Sequence, residues 1–199
     1  PKAVNPDWNY VYSANNQPAA VDGYLYPGYY LPEDRAKRIT TLLDENSKWD
    51  KETVSKMITD NTSAVSVLVA ASLIHNLELT KLSEKEGDAL EYLKTWTGSN
   101  ELEDVAPTIY NKWVYYYLKN TFEDELGAEG FEQFLSTHIM KKVIATQIEN
   151  EKSLWWDNVD TKGKKETRGQ IVSKSFKQAI ATLAVSYTHL RAHETKANL

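Results

Sequence analysis

Apolar positions change their period near residue 33 of this chain. Upstream, Trp8, Tyr10 and Tyr12 alternate with Asn9 and Val11, the two-residue rhythm of a strand. Pro6 biases Asn5 toward extended backbone. Residues 19–32 carry Gly23, Pro27, Gly28 and Pro32 and read as a tyrosine-rich loop. From Glu33 onward the spacing is helical. Pro32 followed by Glu33 and Asp34 is a favourable helix start, with acids at the positive end of the dipole, and Ala36, Ile39, Leu42 and Leu43 then share a face. Val54, Met57 and Ile58 predict a second helix behind Asp50 as N-cap. Val65, Leu68, Val69, Ser72 and Leu73 predict a third. Ser83 and Glu86 form a capping box, and Ala89, Leu93 and Trp96 carry that helix to a stop at Gly98, read as its C′ residue. Ala106, Ile109, Tyr110, Trp113 and Tyr117 make an aromatic stripe broken at Gly127, after which Phe131, Phe134 and Leu135 open another helix. A last helix runs from Thr167 to Leu183. No unit of 20–50 residues repeats, which excludes a solenoid. The pattern is mostly α with a short N-terminal β segment.

Composition narrows the function. The chain has 199 residues, 41% hydrophobic and 26% charged, as in an ordinary globular protein. Its net charge is −5 and its 23 Lys and Arg are scattered, so neither nucleic acid nor an anionic membrane is an expected partner. The absence of cysteine excludes a disulfide framework, a thiolate zinc site and a cysteine nucleophile. No apolar run approaches the ~20 residues that span a bilayer. The opening PKAVNPDW lacks a Met, a basic stretch and an apolar stretch, so it reads as the interior of a longer chain rather than a signal peptide.

The end reads differently. Residues Val185 to Glu194 match, codon for codon, the translation of a transposase-type sequencing adapter (GTC TCT TAT ACA CAT CTC CGA GCC CAC GAG). Residues 185–199 are therefore expected to be a non-native tail, and the i, i+4 pair His189 and His193 is not a zinc motif.

The stretch YVYSANNQP, residues 10–18, ends an apolar run on two side-chain amides and a proline. Turn chemistry accounts for the pair, since Asn tolerates left-handed backbone and Pro18 favours a bend. An amide held rigidly at such a position also offers N–H donors to an oxyanion.

The wider context favours the second use. NPDWNYVYSANNQP, then YLPEDRAKRI, LLDENSKWDKETVSKMITDNTS and LKTWTGSNELEDVAPTIYNKW, resemble the penicillin acylase family of N-terminal-nucleophile hydrolases. SLWWDN and SKSFKQAIATL extend the likeness more weakly, to residue 184. The resemblance implies an internal piece of the catalytic large subunit, the helical portion of an α+β (αββα) fold. In that reading residues 1–32 are a strand-and-loop edge of the catalytic sandwich and residues 33–184 a helical region of the same subunit. Members hydrolyse N-acyl amides with an N-terminal serine freed by self-cleavage, whose own α-amine is the base. Carried over by position, the oxyanion asparagine falls on Asn15, and the supporting arginine falls on Arg35. An arginine in the first turn of a helix opposes the dipole, which favours a tertiary partner for Arg35.

The resemblance further implies a small-molecule N-acyl amide substrate, a small subunit from the same precursor, and a periplasmic or secreted location. It implies no cofactor for the chemistry, and a structural calcium in some members. Asp22 is the sole acid between Asn15 and Glu33, and it suits a turn better than an ion. The serine nucleophile has no counterpart here. Gly98-Ser99-Asn100 imitates the family's self-cleavage junction but follows a capped helix, so Ser99 is not the nucleophile. The competing reading is a non-catalytic helical binding module of a relative lacking the serine.

Other chemistry-bearing residues yield to simpler readings. His75 and His138 are far apart and lack a matching acid. Trp155-Trp156 and Tyr115-Tyr116-Tyr117 suit packing. Glu123, Asp124 and Glu125 splay around a helix and are expected to stay solvated. Asn61-Thr62-Ser63 is a glycosylation sequon, uninformative if the source is bacterial, as the resemblance implies.

Overall fold

The computed structural model describes residues 4–78 and 80–197, the last twelve of them (186–197) as backbone alone. Among the described residues the regular elements are all helical. They are α1 (Asp34–Glu45), α2 (Lys51–Ile58), α3 (Ser66–His75), α4 (Glu84–Thr95), α5 (Ala106–Leu135), α6 (Ile139–Glu149), a 3-10 turn at Leu154–Trp156, and α7 (Arg168–Ala197).

The strand expected at residues 8–12 does not form. Asn9 takes φ 63°, and its N–H closes a turn on the Pro6 carbonyl at 2.9 Å. Asn5 is also left-handed at φ 46°, a conformation asparagine tolerates, instead of extended. A ladder requires a second strand in register, and among the described residues the single β-type pairing is the bridge between Val21 and Tyr24. That bridge closes a two-residue turn in which Asp22 (φ 50°) and Gly23 (φ 77°) are both left-handed, the hairpin geometry that an Asp-Gly pair favours. Asp22 thus has the turn role expected of it.

The helices divide into two compact units. One contains the chain up to Leu68 together with Thr97–Leu102, and the other contains Val69–Trp96 and the chain from Glu103 onward.

In the first unit, local sequence sets the helix starts. The Asp50 carboxylate accepts from Thr53 N at 2.8 Å while Thr53 Oγ1 accepts from Asp50 N at 2.9 Å, a reciprocal cap on α2. α1 has no side-chain cap of its own. Its Asp34 reaches forward instead, accepting from Ser63 Oγ at 2.7 Å and Val65 N at 3.0 Å. Tyr10 donates to Asp44 at 2.8 Å and so ties the N-terminal segment to the far end of α1.

Gly98 was read as the residue just past α4, but α4 ends at Thr95 with Trp96 as C-cap. Its left-handed φ of 92° serves another purpose. A Cβ there would collide with the Ser63 carbonyl, and the Gly98 carbonyl accepts from Ser63 N at 2.8 Å. Gly98→Ala is expected to destabilise this unit by about 1–3 kcal/mol from backbone strain alone. The urea midpoint reads this directly, and an unchanged midpoint would show that the turn is free to move away.

The second unit is built on α5 and α7, the most extensive helix pair. Trp113, Tyr117, Leu118 and Phe122 of α5 are buried, as are Ile171, Val172, Phe176 and Ala179 of α7. Trp113 packs on Phe176 with ring centroids 4.8 Å apart and donates its Nε1–H to the Val172 carbonyl at 3.2 Å. Asn120 bridges the same helices, donating to Ser175 Oγ at 2.9 Å and Gln178 Oε1 at 2.6 Å. Ser83 and Glu86 cap α4 reciprocally, as the sequence predicts, and α4 buries Ala89, Leu90 and Leu93. Gly127 (φ 69°, ψ 165°) breaks α5 where expected. α7 was expected to stop at Leu183; its backbone continues to Ala197, with no glycine or proline after Gly169 to interrupt it.

Candidate functional site

Asn15 stands where the chain leaves and re-enters the loop of residues 16–30. Its backbone carbonyl accepts from Leu31 N at 2.8 Å, which closes the loop at its base. Inside the loop, Gln17 Nε2 donates to the Tyr26 carbonyl at 3.1 Å, and Asn16 Nδ2 turns to the Gln17 carbonyl at 3.4 Å. The two neighbouring amides therefore differ: Asn16 engages the loop, and Asn15 faces α1.

Arg35 Nη2 donates to Asn15 Oδ1 at 2.6 Å. A guanidinium has donors and no acceptor, so the oxygen of the amide must face it. This fixes the amide flip that the atoms of Asn15 alone leave ambiguous. The NH₂ group then points away from Arg35, and among the described residues it has no hydrogen-bond partner. Arg35 itself has no carboxylate partner among the described residues, because neighbouring Asp34 is engaged by Ser63 and Val65. A cation bonded to the amide oxygen draws electron density from the group and strengthens its N–H bonds as donors. Chemically, the arrangement is an exposed, oriented and polarised pair of N–H donors.

Arg35 also lines a groove of ≈ 380 Å³ together with Ile39, Leu42, Met57 and Ile58. Arg38 and Asp60 line the same groove. Their pairing is bidentate, Nε to Oδ1 at 2.8 Å and Nη2 to Oδ2 at 2.6 Å. Asp60 also accepts from Thr62 N at 3.1 Å, and the Arg38 bonds, foremost, hold its carboxyl below the usual carboxylate range. Asn61 of the sequon is engaged by the 98–100 turn: its Oδ1 accepts from Asn100 N at 3.3 Å and its carbonyl from Asn100 Nδ2 at 2.9 Å. Ser99 lies between Gly98, which accepts from Ser63 N, and Asn100, which donates to Asn61. Sequence reasoning marked Asp34 as a helix-start acid alone and did not mark Arg38 or Asp60. Their signal lies in pairings 22 to 31 residues apart, which no local pattern displays.

The remaining sequence candidates have structural roles. Trp156 is buried with its Nε1–H on the Asn150 carbonyl at 2.8 Å. Tyr117 is fully buried, which pushes its phenol pKa upward. His75 and His138 are exposed. Of the acids at 123–125, Glu125 is exposed and Glu123 and Asp124 are half-buried; Asp124 accepts from Val159 N at 2.8 Å, and partial desolvation with a hydrogen bond to Asp124 pushes Glu125 up to about 7. The side chains of His189 and His193 lie outside those described. Among the described residues no three His, Asp or Glu side chains converge as metal ligands. No helix among them is long and apolar enough to cross a membrane.

A family model described as penicillin amidase matches residues 1–196. No curated protein matches the chain.

Proposed function

Since the chain belongs to the penicillin amidase family, a family of hydrolases acting on amide bonds, we propose that it carries the oxyanion-binding part of such an enzyme. The observation that supports this is the Arg35–Asn15 bond at 2.6 Å, which leaves the Asn15 NH₂ oriented and unpartnered.

In this reading a serine Oγ, at the N-terminus of the mature catalytic subunit and outside these residues, attacks the carbonyl carbon of an N-acyl amide. The serine's own α-amine takes the hydroxyl proton. Negative charge moves onto the carbonyl oxygen, where Asn15 Nδ2 donates to it. Collapse of the tetrahedral adduct returns the proton to the leaving amine and forms a serine ester, which water hydrolyses. Arg35 touches none of the reacting atoms; it sets the rotamer and flip of Asn15.

The N-terminal segment is, in this reading, the edge of the catalytic αββα sandwich, pairing with strands outside this stretch. A small subunit from the same precursor and a periplasmic or secreted location complete the proposal.

The chain by itself is then inactive. Incubated with a chromogenic acyl anilide, it is expected to release no aniline above the buffer rate. Turnover that disappears in Ser99→Ala would place the nucleophile inside this stretch and overturn the reading.

A further inference from the structure

Arg35 is an exposed side chain on the first turn of a helix that lacks a cap. Such a turn frays, and a long flexible guanidinium on it has no reason to keep one direction. Something must hold it. The residue before Arg35 and the residue three after it are both tied to the same short segment. Asp34 accepts from Ser63 Oγ and Val65 N, and Arg38 forms its two-pronged pair with Asp60. Arg38 lies nearly one turn beyond Arg35 on α1, and both line the same groove. The Arg38–Asp60 pair is part-buried, with side-chain exposures of 26% and 16%, so it is screened less than a surface pair.

The segment being gripped is itself held from behind. Asn100 bonds to Asn61 through both its backbone N–H and its side chain, and Gly98 bonds to Ser63 at a distance that leaves no room for a Cβ. The Gly98-Ser99-Asn100 turn is thus a brace, Asp60–Val65 a platform, and α1 an arm clamped to that platform on either side of Arg35.

Resting on the oxyanion reading above, we propose that Asp60 is a positioning residue for the reaction: through Arg38 it fixes the first two turns of α1, and thereby the direction in which Arg35 presents the Asn15 amide. Asp60 touches no substrate. Its effect passes entirely through Asn15, and this separates it from an ordinary structural ion pair.

The test uses the full-length, self-processed enzyme, with kcat expressed per serine titrated by a covalent inhibitor so that misfolded protein is not counted. Asp60→Asn keeps the shape, lets the Arg38 fork loosen, and is expected to lower kcat about tenfold with KM within about twofold, short of the ~10²-fold that a displacement of 1 Å can produce. Arg38→Lys, which keeps the charge and one contact, is expected to lower kcat about threefold, since a point charge does not reproduce a bidentate fork; it serves where Asp60→Asn processes poorly. The deciding measurement is a double-mutant cycle with Asn15→Ala. If Asp60 acts through Asn15, the double variant is no slower than Asn15→Ala alone. A further tenfold loss in the double variant, or an effect on KM alone, would assign Asp60 to general stability and overturn the proposal. An Asn15→Ala enzyme that keeps its full kcat removes the oxyanion reading itself, and the positioning role with it.

Discussion

Asn15→Ala is expected to lower kcat of the full-length amidase by about 10²–10³-fold, the loss typical of one oxyanion donor. The substitution deletes both N–H donors and leaves a methyl group that Arg35 has no means to orient. KM for an acyl anilide should change little, because the donors act on charge that develops only after attack. Stability should stay within about 0.5 kcal/mol, because Asn15 is exposed and its side chain makes a single hydrogen bond among the described residues. Asn15→Asp is a sharper version. It preserves an oxygen for Arg35 and replaces the donors with a negative charge facing the developing oxyanion, so its kcat should fall at least as far. A kcat near that of the parent enzyme in either variant takes Asn15 out of the mechanism.

The largest stability effect belongs to the other unit. Trp113→Ala is expected to destabilise it by about 3–5 kcal/mol, the range for a large aromatic removed from a packed core. Trp113 has no exposed surface, stacks against Phe176, and donates to the Val172 carbonyl in the middle of α7. Truncation opens a cavity at the α5–α7 seam and leaves that carbonyl without its indole donor. Trp113→Phe keeps most of the volume and should lose markedly less. Urea unfolding followed by far-ultraviolet dichroism measures both, and equal, small losses from the two variants would mean that the seam is not the core of this unit.

These two positions show how differently fold and site could be read in advance. The stripe Ile109, Tyr110, Trp113 and Tyr117 is legible because a buried helical face must repeat near 3.6 residues, and all four are buried. The caps at Asp50 and Ser83 are legible because a cap joins residues three apart. α6 was missed although Met140, Ile144 and Ile148 recur at helical spacing; its start at His138 has no side-chain cap to announce it. The turn at Asp22 was expected; its hairpin form, closed by the Val21–Tyr24 bridge, was visible in principle as an Asp-Gly pair. The N-terminal strand, absent among the described residues, is a different case. Alternation in Trp8–Tyr12 describes which faces a strand would have, whereas a strand exists only when another pairs with it.

At the site, the identities Asn15 and Arg35 came from resemblance to a family, and no spacing rule joins residues 20 apart. The direction of the amide, and with it which end donates, became definite only when a guanidinium stood 2.6 Å from its oxygen. The grip of Asp34, Arg38 and Asp60 on the same platform likewise joins segments remote in the chain.

Local chemistry in the amino-acid order thus determined that this chain is mostly helical, where most of its helices begin, which faces α4, α5 and α7 bury, and that it has no cysteine and no apolar run long enough to span a bilayer. Tertiary structure alone decided which polar groups meet. Apolar burial repeats with the backbone and is written into neighbouring residues, while a hydrogen bond between distant side chains depends on the path of everything between them.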